Sequence, residues 1–550
     1  MRSTGTVAEL VRRQWGDHRP ALKHGPTVLS HHQVVEGAAA RAALLADLLP
    51  RGGEPHLAVL LDNTPEFPLW LSAAALAGAA VAGINPTRRG PELARDILHT
   101  EARVLITERA HLPLLADLEL PGVRVVVTGT EAYAALLAPY AGARPGDAVL
   151  APVGPDSRML LYFTSGSTGA PKAAICTQGR LAGAGASLAG HFGVRPSDTH
   201  YICMPMFHGN AVLADWAPAL SAKAAIALRP RFSASAFLDD VRAYGATYFT
   251  YVGRAVQYLL ATPERPDDRD HPLRLGFGTE AGAVDAARFR ERFGVRLVEG
   301  YGSSEGGAAI QHTPGTPAGA IGRAAPGDDL AVVDPESGAE RAPARFGPGG
   351  RLLNGDEAIG ELVNRGPTPF EGYWRNPAAD AERARRGWYW TGDLFYRDAD
   401  GFLYFAGRTD DRLRVDSENL AAATIEHILA RWEEVAAAAV HAVPDPVTGD
   451  QVMAALTLRA GAAFDPAAFA AFLRAQPDLG TKMAPRFVRI LDRMPVTATN
   501  KIHRVALRRA GFRCPDPVWW DRDGDGTYVP LDAAGLAALL ERYEEHGTPL

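Results

Sequence analysis

The sequence has few cysteines, no long hydrophobic run and no excess of positive charge. Its three cysteines, Cys176, Cys203 and Cys514, are far apart, which argues against a disulfide framework and against a zinc site of the CxxC type. The formal net charge of -6 argues against a nucleic-acid partner, because phosphates call for a basic surface. We therefore expect a protein of the reducing cytoplasm that does not bind nucleic acid.

The most hydrophobic window, residues 69–84, is rich in alanine and glycine. It is shorter than the run of about 20 apolar residues that a membrane-spanning helix needs. Residues 1–15 lack the apolar run of a signal peptide. We expect residues 69–84 to form a buried helix, and the protein to associate with membranes at most peripherally.

Short runs of β-branched residues alternate with alanine-rich stretches through most of the chain. Residues 56–61, 104–107 and 123–127 are such runs. Buried strands separated by helices are typical of an α/β fold with largely parallel sheets. A chain of 550 residues exceeds one ordinary hydrophobic core, so a large unit and a smaller one are expected.

An amphipathic helix is predicted after the charged segment 407–419. Four apolar residues at helical spacing form one stripe, Ile425, Ile428, Leu429 and Trp432. The change of composition predicts three parts of the chain, residues 1–408, 409–512 and 513–550. The last part is expected to be an appendage that packs back through Trp519 and Trp520.

Residues 162–172, YFTSGSTGAPK, form the strongest local signal. Glycines let backbone N–H groups turn toward an anion, hydroxyls add donors and the lysine adds positive charge. No Gly-Lys-Ser/Thr unit follows the glycines, so this is not a Walker A loop. Composition alone favours a mobile surface loop with a solvated lysine. The exact order TSGSTG-x-PK changes this balance because it matches the phosphate loop of a known family, and the match implies a phosphate site formed by Thr164, Ser165, Gly166, Ser167, Thr168, Gly169 and Lys172.

This segment resembles the phosphate loop of the AMP-forming adenylating enzymes, a superfamily of acyl-CoA synthetases, adenylation domains and luciferases. Further motifs of the superfamily follow in its order along nearly the whole chain. The resemblance implies a ligase that uses ATP to adenylate an acid and releases pyrophosphate. It also implies a large N-terminal α/β domain of layered sheets and helices (1–408) that binds ATP and the acid. A small mobile α+β domain (409–512) would carry the catalytic lysine.

Two segments resemble the adenine and metal motifs of the superfamily. In YGSSE, at 301–305, the resemblance implies that Tyr301 lies on adenine, Ser304 contacts phosphate and Glu305 binds Mg²⁺. A flat ring suits a base, and a carboxylate oxygen suits a hard cation. The segment also includes Gly302. The loop that lines adenine and the acyl pocket is matched by Gly278, Thr279 and Glu280.

Three later segments resemble the ribose, hinge and lysine motifs. The resemblance implies that Asp393 accepts hydrogen bonds from both ribose hydroxyls and that Arg408 binds ribose or phosphate. Asp410 would be the hinge of the small domain. Lys501 would bridge the acid and the α-phosphate, where negative charge builds during attack. Asn500 stands where many members have glycine. Taken alone, residues 390–393 could be a turn, residues 407–411 would be an exposed charge run, and Lys501 would be a solvated surface lysine.

Within the superfamily, the chain is most similar to the fatty-acyl-CoA synthetase and fatty-acid transport protein branch. Four segments carry this similarity, residues 85–90, 205–208, 248–253 and 417–420. The branch implies that the CoA thiol displaces AMP, with His208 at the acyl and thiol end of the site. A buried structural histidine is the alternative for His208.

Ser417 departs from the branch, which usually has glycine there. The loop borders the pantetheine tunnel in that branch, so a side chain could hinder CoA. An amine is therefore the alternative acceptor, including diazotisation of an aryl amine with nitrite. A nucleotide-binding regulator and a kinase are further alternatives. The acid, whether fatty, aryl or inorganic, is left open.

Overall fold

The computed structural model describes residues 5–50, 52–164, 172–279, 281, 283–303, 305–325, 327–348, 352–367, 370–408, 412–415, 418–445, 449–476, 479–480, 482–497 and 500–545. The chain divides into two compact units. Unit 1 comprises residues 1–309 and 368–385, and unit 2 comprises residues 310–367 and 386–550.

Strands occur along the whole chain. They are β1 (Pro20–His24), β2 (Thr27–Ser30), β3 (His56–Leu60), β4 (Ala80–Gly83), β5 (Val104–Glu108), β6 (Arg124–Thr128), β7 (Arg158–Thr164), β8 (Lys172–Thr177), β9 (Thr199–Ile202), β10 (Ala225–Leu228), β11 (Tyr248–Val252), β12 (Leu275–Thr279), β13 (Arg296–Glu299), β14 (Tyr301–Gly302), β15 (Ala309–Gln311), β16 (Arg323–Ala324), β17 (Leu330–Val333), β18 (Gly360–Asn364), β19 (Ala384–Arg385), β20 (Trp388–Arg397), β21 (Leu403–Arg408), β22 (Arg412–Val415), β23 (Glu418–Ala421), β24 (Val435–Asp445), β25 (Gly449–Leu458), β26 (Phe487–Ile490), β27 (Val518–Asp521) and β28 (Tyr528–Pro530).

Helices connect these strands. They are α1 (Val7–Arg12), α2 (His31–Leu48), α3 (Glu66–Ala77), α4 (Gly90–His99), α5 (Leu112–Leu115), α6 (Glu131–Leu137), α7 (Gln178–Phe192), α8 (Ala217–Ala222), α9 (Phe237–Tyr244), α10 (Gly253–Leu260), α11 (Ala283–Phe293), α12 (Gly355–Ala358), α13 (Pro377–Arg383), α14 (Ala422–Leu429), α15 (Pro466–Arg474), α16 (Arg504–Ala510) and α17 (Ala533–Glu545). Residues 109–111 and 138–140 form 3₁₀ turns, and residues 210–216 form a π-helix.

Unit 1 contains two largely parallel sheets. One has the order β6-β5-β3-β4-β7-β8, and the other has the order β13-β12-β11-β9-β10-β1-β2. The pairs β7–β8 and β1–β2 are antiparallel. The prediction that residues 56–61, 104–107 and 123–127 form strands is confirmed by β3, β5 and β6. The mixed α/β class is confirmed as well, because a parallel pair needs a crossover connection, which helices supply here.

The predicted single helix over residues 69–84 is wrong. Helix α3 ends at Ala77, Gly78 has a φ of 77°, and residues 80–83 form strand β4. A side chain at Gly78 would bring Cβ to 2.4 Å from the carbonyl oxygen of Ala151. Glycine is therefore required, and its left-handed conformation ends the helix. The segment is buried, as predicted. Among the residues that the structure describes, no helix is long and apolar enough to cross a membrane.

Unit 2 contains antiparallel strands followed by a mixed sheet. Strands β17, β18, β20 and β21 pair in that order. The later sheet has the order β23-β22-β25-β26-β27-β28, and β24 pairs with β25. Residues 513–550 thus supply two of its strands, and Trp520 stacks on Phe487 with ring centroids 6.1 Å apart. The stripe of the predicted amphipathic helix is buried, although Trp432 lies after α14 has ended.

A histidine joins two carboxylates at the carboxyl edge of the β3–β5 pair. The Nε2 atom of His111 lies 3.2 Å from Asp62 and 3.3 Å from Glu108. Asp62 also accepts a hydrogen bond from Arg231 at 2.9 Å. The bonds to Asp62 and Glu108 raise the pKa of the buried His111 to about 9, so the imidazolium form is favoured at neutral pH.

His111→Gln is expected to destabilise the fold in a pH-dependent way. The folded pKa is raised, so the stabilisation is complete below the unfolded value and is lost as the pH rises through 9. After discounting for screening by solvent, we expect the free energy of unfolding to fall by about 1–2 kcal/mol at pH 6 and by less at pH 9.5. Urea unfolding at both pH values measures this, with the exposed His191→Gln as control. Equal losses at the two pH values would contradict it.

Candidate active site

The predicted phosphate loop lies between two antiparallel strands. Thr164 at the end of β7 pairs with Lys172 at the start of β8. The intervening predicted residues, Ser165, Gly166, Ser167, Thr168 and Gly169, lie outside the described part of the chain. The ends of the loop are therefore held together in a β-hairpin, which we call the phosphate hairpin (residues 158–177).

Lys172 is buried, with 8% of its surface exposed. Its Nζ atom lies 2.6 Å from Oε2 of Glu382 and 5.7 Å from the centre of the Tyr373 ring. The hydrogen bond from Lys172 lowers the pKa of Glu382. Because Glu382 is largely exposed, an anion that binds at the hairpin can replace it as the partner of the ammonium group.

Glu305 is also buried, with 7% exposed. Its Oε1 atom accepts a hydrogen bond of 2.9 Å from the Tyr373 hydroxyl. Burial and the nearby Glu305 raise the pKa of Tyr373, so the phenol keeps its proton and remains a donor. Arg383 donates to the same hydroxyl at 3.4 Å. Tyr373 therefore links the predicted metal ligand with the predicted phosphate lysine.

Residues 370–385 position these groups, and the sequence did not point to them. The backbone of Gly372 and Trp374 bonds Ile175 and Ala173 on β8. Glu371 accepts bonds from both the backbone and the hydroxyl of Thr177, at 2.8 and 2.6 Å. One sequence signal for this segment was available. Residues 372–374 are Gly-Tyr-Trp, and Asn376-Pro377 follows as the start of a helix, in which the Asn376 side chain caps α13.

The predicted adenine loops meet at the carboxyl end of the seven-stranded sheet. Gly278 pairs with Glu299, and the backbone N–H of Gly300 donates to the Gly278 carbonyl at 2.9 Å. Tyr301 and Gly302 follow directly as β14, and Thr279 ends β12. A Cβ atom at Gly278 would lie 2.2 Å from the Tyr251 carbonyl oxygen, so the neighbouring strand requires glycine here. Glu280 and Ser304 lie outside the described residues.

His208 is half-buried and precedes the π-helix of residues 210–216. Its backbone N–H donates to the Pro205 carbonyl at 3.2 Å, and its Nδ1 atom lies 3.5 Å from the backbone nitrogen of Asn210. π-Helical turns are rare and are frequently found at functional sites. His208 thus lies in a tight turn between β9 and this helix.

The predicted ribose residues lie on paired strands of unit 2. Asp393 on β20 is the cross-strand partner of Arg408 on β21. Gly392 has a φ of 74°, and its N–H donates to the buried Glu361 at 2.8 Å. Gly392 lies inside β20, where the pairing with β18 shifts register between Trp390 and Leu394. This irregularity places Asp393 at a fixed point of the sheet. Asp410 lies outside the described residues.

Lys501 also belongs to unit 2, where it ends a tight turn. The N–H of Thr497 donates to the Lys501 carbonyl at 2.7 Å, and Asn500 donates to the Thr497 carbonyl at 2.9 Å. Asn500 has a φ of 60°. Asparagine tolerates this left-handed conformation better than other non-glycine residues do. The departure from glycine is therefore explained by the backbone.

Two family models match the chain. The AMP-binding enzyme model matches residues 9–374, and the AMP-binding enzyme C-terminal domain model matches residues 424–501. The chain is 48% identical over 546 residues to the steroid-22-oyl-CoA synthetase of Rhodococcus jostii (strain RHA1), covering 98% of each protein. It is 44% identical to the medium/long-chain-fatty-acid–CoA ligase FadD17 of Mycobacterium tuberculosis (strain ATCC 25618 / H37Rv), covering 92% of this chain and 93% of that protein.

Solved structures show the same fold. The anthranilate CoA ligase AuaEII in complex with anthranoyl-AMP matches with a TM-score of 0.78 at 23% identity, covering 93% of this chain and 98% of that one. A benzoate CoA ligase from Burkholderia xenovorans LB400 matches with a TM-score of 0.79 at 22% identity, covering 92% and 100%. The chain therefore belongs to the AMP-binding enzyme family and is an acyl-CoA synthetase-like ligase that adenylates an acid with ATP.

Proposed function

We propose that this enzyme converts a bulky apolar carboxylic acid, such as a steroid side-chain acid, into its CoA thioester through an acyl-adenylate. The observation that carries the proposal is the 48% identity to a steroid-22-oyl-CoA synthetase over 98% of both proteins. Medium- and long-chain fatty acids are the second candidate, because a FadD17 protein matches at 44% identity. The same full-length relatives favour CoA over an amine as the acceptor.

In the first step, an oxygen of the acid attacks the α-phosphorus of ATP and pyrophosphate leaves. No general base is required, because a carboxylate is already ionised at neutral pH. Catalysis of phosphoryl transfer is chiefly positioning and neutralisation of charge. In this proposal, Lys172 of the phosphate hairpin and Lys501 supply positive charge to the phosphate oxygens.

Glu305 is the residue that would hold Mg²⁺. Its carboxylate is buried and is oriented by the Tyr373 hydroxyl, which suits a hard cation that needs a fixed oxygen ligand. The ion would neutralise charge on the phosphate oxygens.

The nucleotide contacts follow the motifs. Residues 164–169 and Ser304 would contact the phosphates, Tyr301 and residues 278–280 the adenine, and Asp393 and Arg408 the ribose.

In the second step, the CoA thiol attacks the acyl carbonyl, the bond to AMP breaks and the thioester forms. We assign His208 to this end of the site. Residues 409–512 would turn about Asp410 between the two steps, and Ser417 would border the path of the thiol. We place the reaction in the cytoplasm, where ATP and CoA are supplied, with at most a peripheral association with membranes.

The products test the function directly. The enzyme is incubated with ATP, Mg²⁺ and CoA and with either a steroid C22 acid or a C16 fatty acid, and mass spectrometry follows the products. We expect a CoA thioester and AMP in equal amounts. The kcat/KM for the steroid acid should exceed that for the fatty acid about tenfold or more. Ser417→Gly should leave this rate similar or slightly higher. An amide formed from a small amine, without any thioester in the presence of CoA, would contradict the proposal.

Lys501→Ala is expected to slow pyrophosphate release about a hundredfold or more, because such transition-state contacts are worth about 3–4 kcal/mol. ATP should still bind with nearly unchanged affinity, as measured by calorimetry. Asn500→Gly is the control, since glycine adopts the observed φ without strain and should keep near-normal activity. Normal pyrophosphate release by Lys501→Ala would rule out the assigned role.

Tyr373→Phe is expected to weaken Mg²⁺ binding, because it removes the hydroxyl that orients Glu305. Loss of such a supporting hydrogen bond commonly lowers metal affinity about 10–100-fold. Calorimetric titration of the ATP-loaded enzyme with Mg²⁺ measures the affinity without turnover. Tyr133→Phe is the matched control, because the Tyr133 hydroxyl donates to Glu66 at 2.5 Å elsewhere in unit 1. An equal change in both variants would contradict the role of Tyr373.

A further inference from the structure

The side chain of Asn63 lies between the ends of the two sheets of unit 1 and is 2% exposed. It follows β3 of the six-stranded sheet. Its Nδ2 atom donates to the carbonyl oxygens of Met204 at 2.9 Å and of Ile202 at 3.4 Å, and its Oδ1 atom accepts from the backbone N–H of Met206 at 2.9 Å. Ile202 ends β9 of the seven-stranded sheet in unit 1. The two shorter bonds go to residues 203–208, which continue from β9 and end in His208.

A close backbone contact holds the same segment on another side. Gly83 ends β4, and a Cβ atom there would lie 2.5 Å from the carbonyl oxygen of Phe207. Gly83 pairs with Tyr162 on β7, the first strand of the phosphate hairpin. The segment that carries His208 is thus fixed to the sheet that carries the phosphate hairpin, by Asn63 through hydrogen bonds and by Gly83 through contact.

We propose that Asn63 is a positioning residue that sets the place of His208 relative to the phosphate hairpin. The inference rests on the proposed function, in which His208 borders the acyl group and the hairpin binds the phosphates. Attack in either step depends on the distance between His208 and the phosphate hairpin. The hydrogen bonds of the Asn63 amide fix that distance where the ends of the two sheets meet. A shift of about 1 Å can slow a reaction about a hundredfold.

The chemistry of the two hydrogen bonds requires an amide. One atom must donate to a carbonyl, and another must accept from an N–H group. Aspartate has nearly the same shape, but its oxygen would face the Met204 carbonyl, so that two acceptors oppose each other. Alanine leaves the backbone partners at Met204 and Met206 without their bonds, and serine offers a single oxygen on a shorter side chain in place of the two amide atoms.

The variants Asn63→Ala, Asn63→Asp and the milder Asn63→Ser test the proposal. Gln14→Ala is the matched control, because Gln14 is a buried amide whose two ends bond the Leu220 carbonyl and His31. With the acid that the wild-type enzyme uses best, we expect kcat to fall about 10–100-fold in Asn63→Ala and Asn63→Asp. The kcat of Asn63→Ser should lie between that of these two variants and that of the wild type. The KM for ATP should change less than threefold, and Gln14→Ala should keep kcat within twofold at a similar loss of thermal stability.

A double variant separates positioning from general damage. If Asn63 acts through His208, Asn63→Ala combined with His208→Ala should be no slower than His208→Ala alone. Three results would each overturn the proposal. The first is a double variant whose loss of kcat is the product of the two single losses. The second is a kcat within twofold of wild type for both Asn63→Ser and Asn63→Ala, and the third is a loss of kcat in Gln14→Ala as large as that in Asn63→Ala. Absence of any thioester from the wild-type enzyme would instead contradict the proposed function, and pyrophosphate release would then serve as the readout for Asn63.

Discussion

Buried charges in the candidate active site must each have a partner, and residues 370–385 supply the partners of Glu305 and Lys172. A carboxylate or an ammonium group that loses water without gaining a partner destabilises the fold by several kcal/mol, on the order of 3–5 when a buried pair is broken. Glu305 is paired with the Tyr373 hydroxyl, and Lys172 with Glu382. Both partners come from residues 370–385, which return to unit 1 after the chain has passed through unit 2. The phosphate hairpin therefore depends on a distant segment for its electrostatic balance.

The carboxyl ends of the parallel strands account for the grouping of the other residues in unit 1. Ligands of open α/β sheets bind outside these ends, where the connections begin. Gly278, Thr279 and Tyr301 lie at the carboxyl end of the seven-stranded sheet of unit 1. In the six-stranded sheet, the phosphate hairpin (β7 and β8) lies next to β4. In the proposed reaction both sheets contribute residues, so their ends must keep a fixed distance, and Asn63 and Gly83 lie where these ends meet. Their contacts are with backbone atoms, which change position less readily than side chains do.

The class of fold and several strands could be predicted because hydrophobic period is a local property. Residues 56–60, 104–108 and 124–128 are short runs rich in apolar or β-branched residues, and they form β3, β5 and β6. The first two runs are buried, whereas Val125 in the third is exposed. The window 69–84 was harder, because helix and buried strand have similar apolar composition. Gly78 decides between them through its left-handed backbone and its contact with Ala151, and that contact is distant in sequence. In the sequence, Asn500 departs from the glycine that many members of the superfamily have at this position. Its φ of 60° explains the residue, because asparagine tolerates this left-handed conformation.

The sequence by itself determined the chemistry of this protein, since the order of its motifs identifies an adenylating ligase and the motifs are continuous short segments. Only the tertiary structure decided which residues support them. Tyr373 and Glu382 approach Glu305 and Lys172 across long separations in sequence, and Asn63 contacts a segment about 140 positions away. No periodicity or composition marks such residues, because their role comes from the atoms opposite them. A hydrogen bond of this kind is a property of distance and direction in space, which the chain acquires only when its sheets have packed.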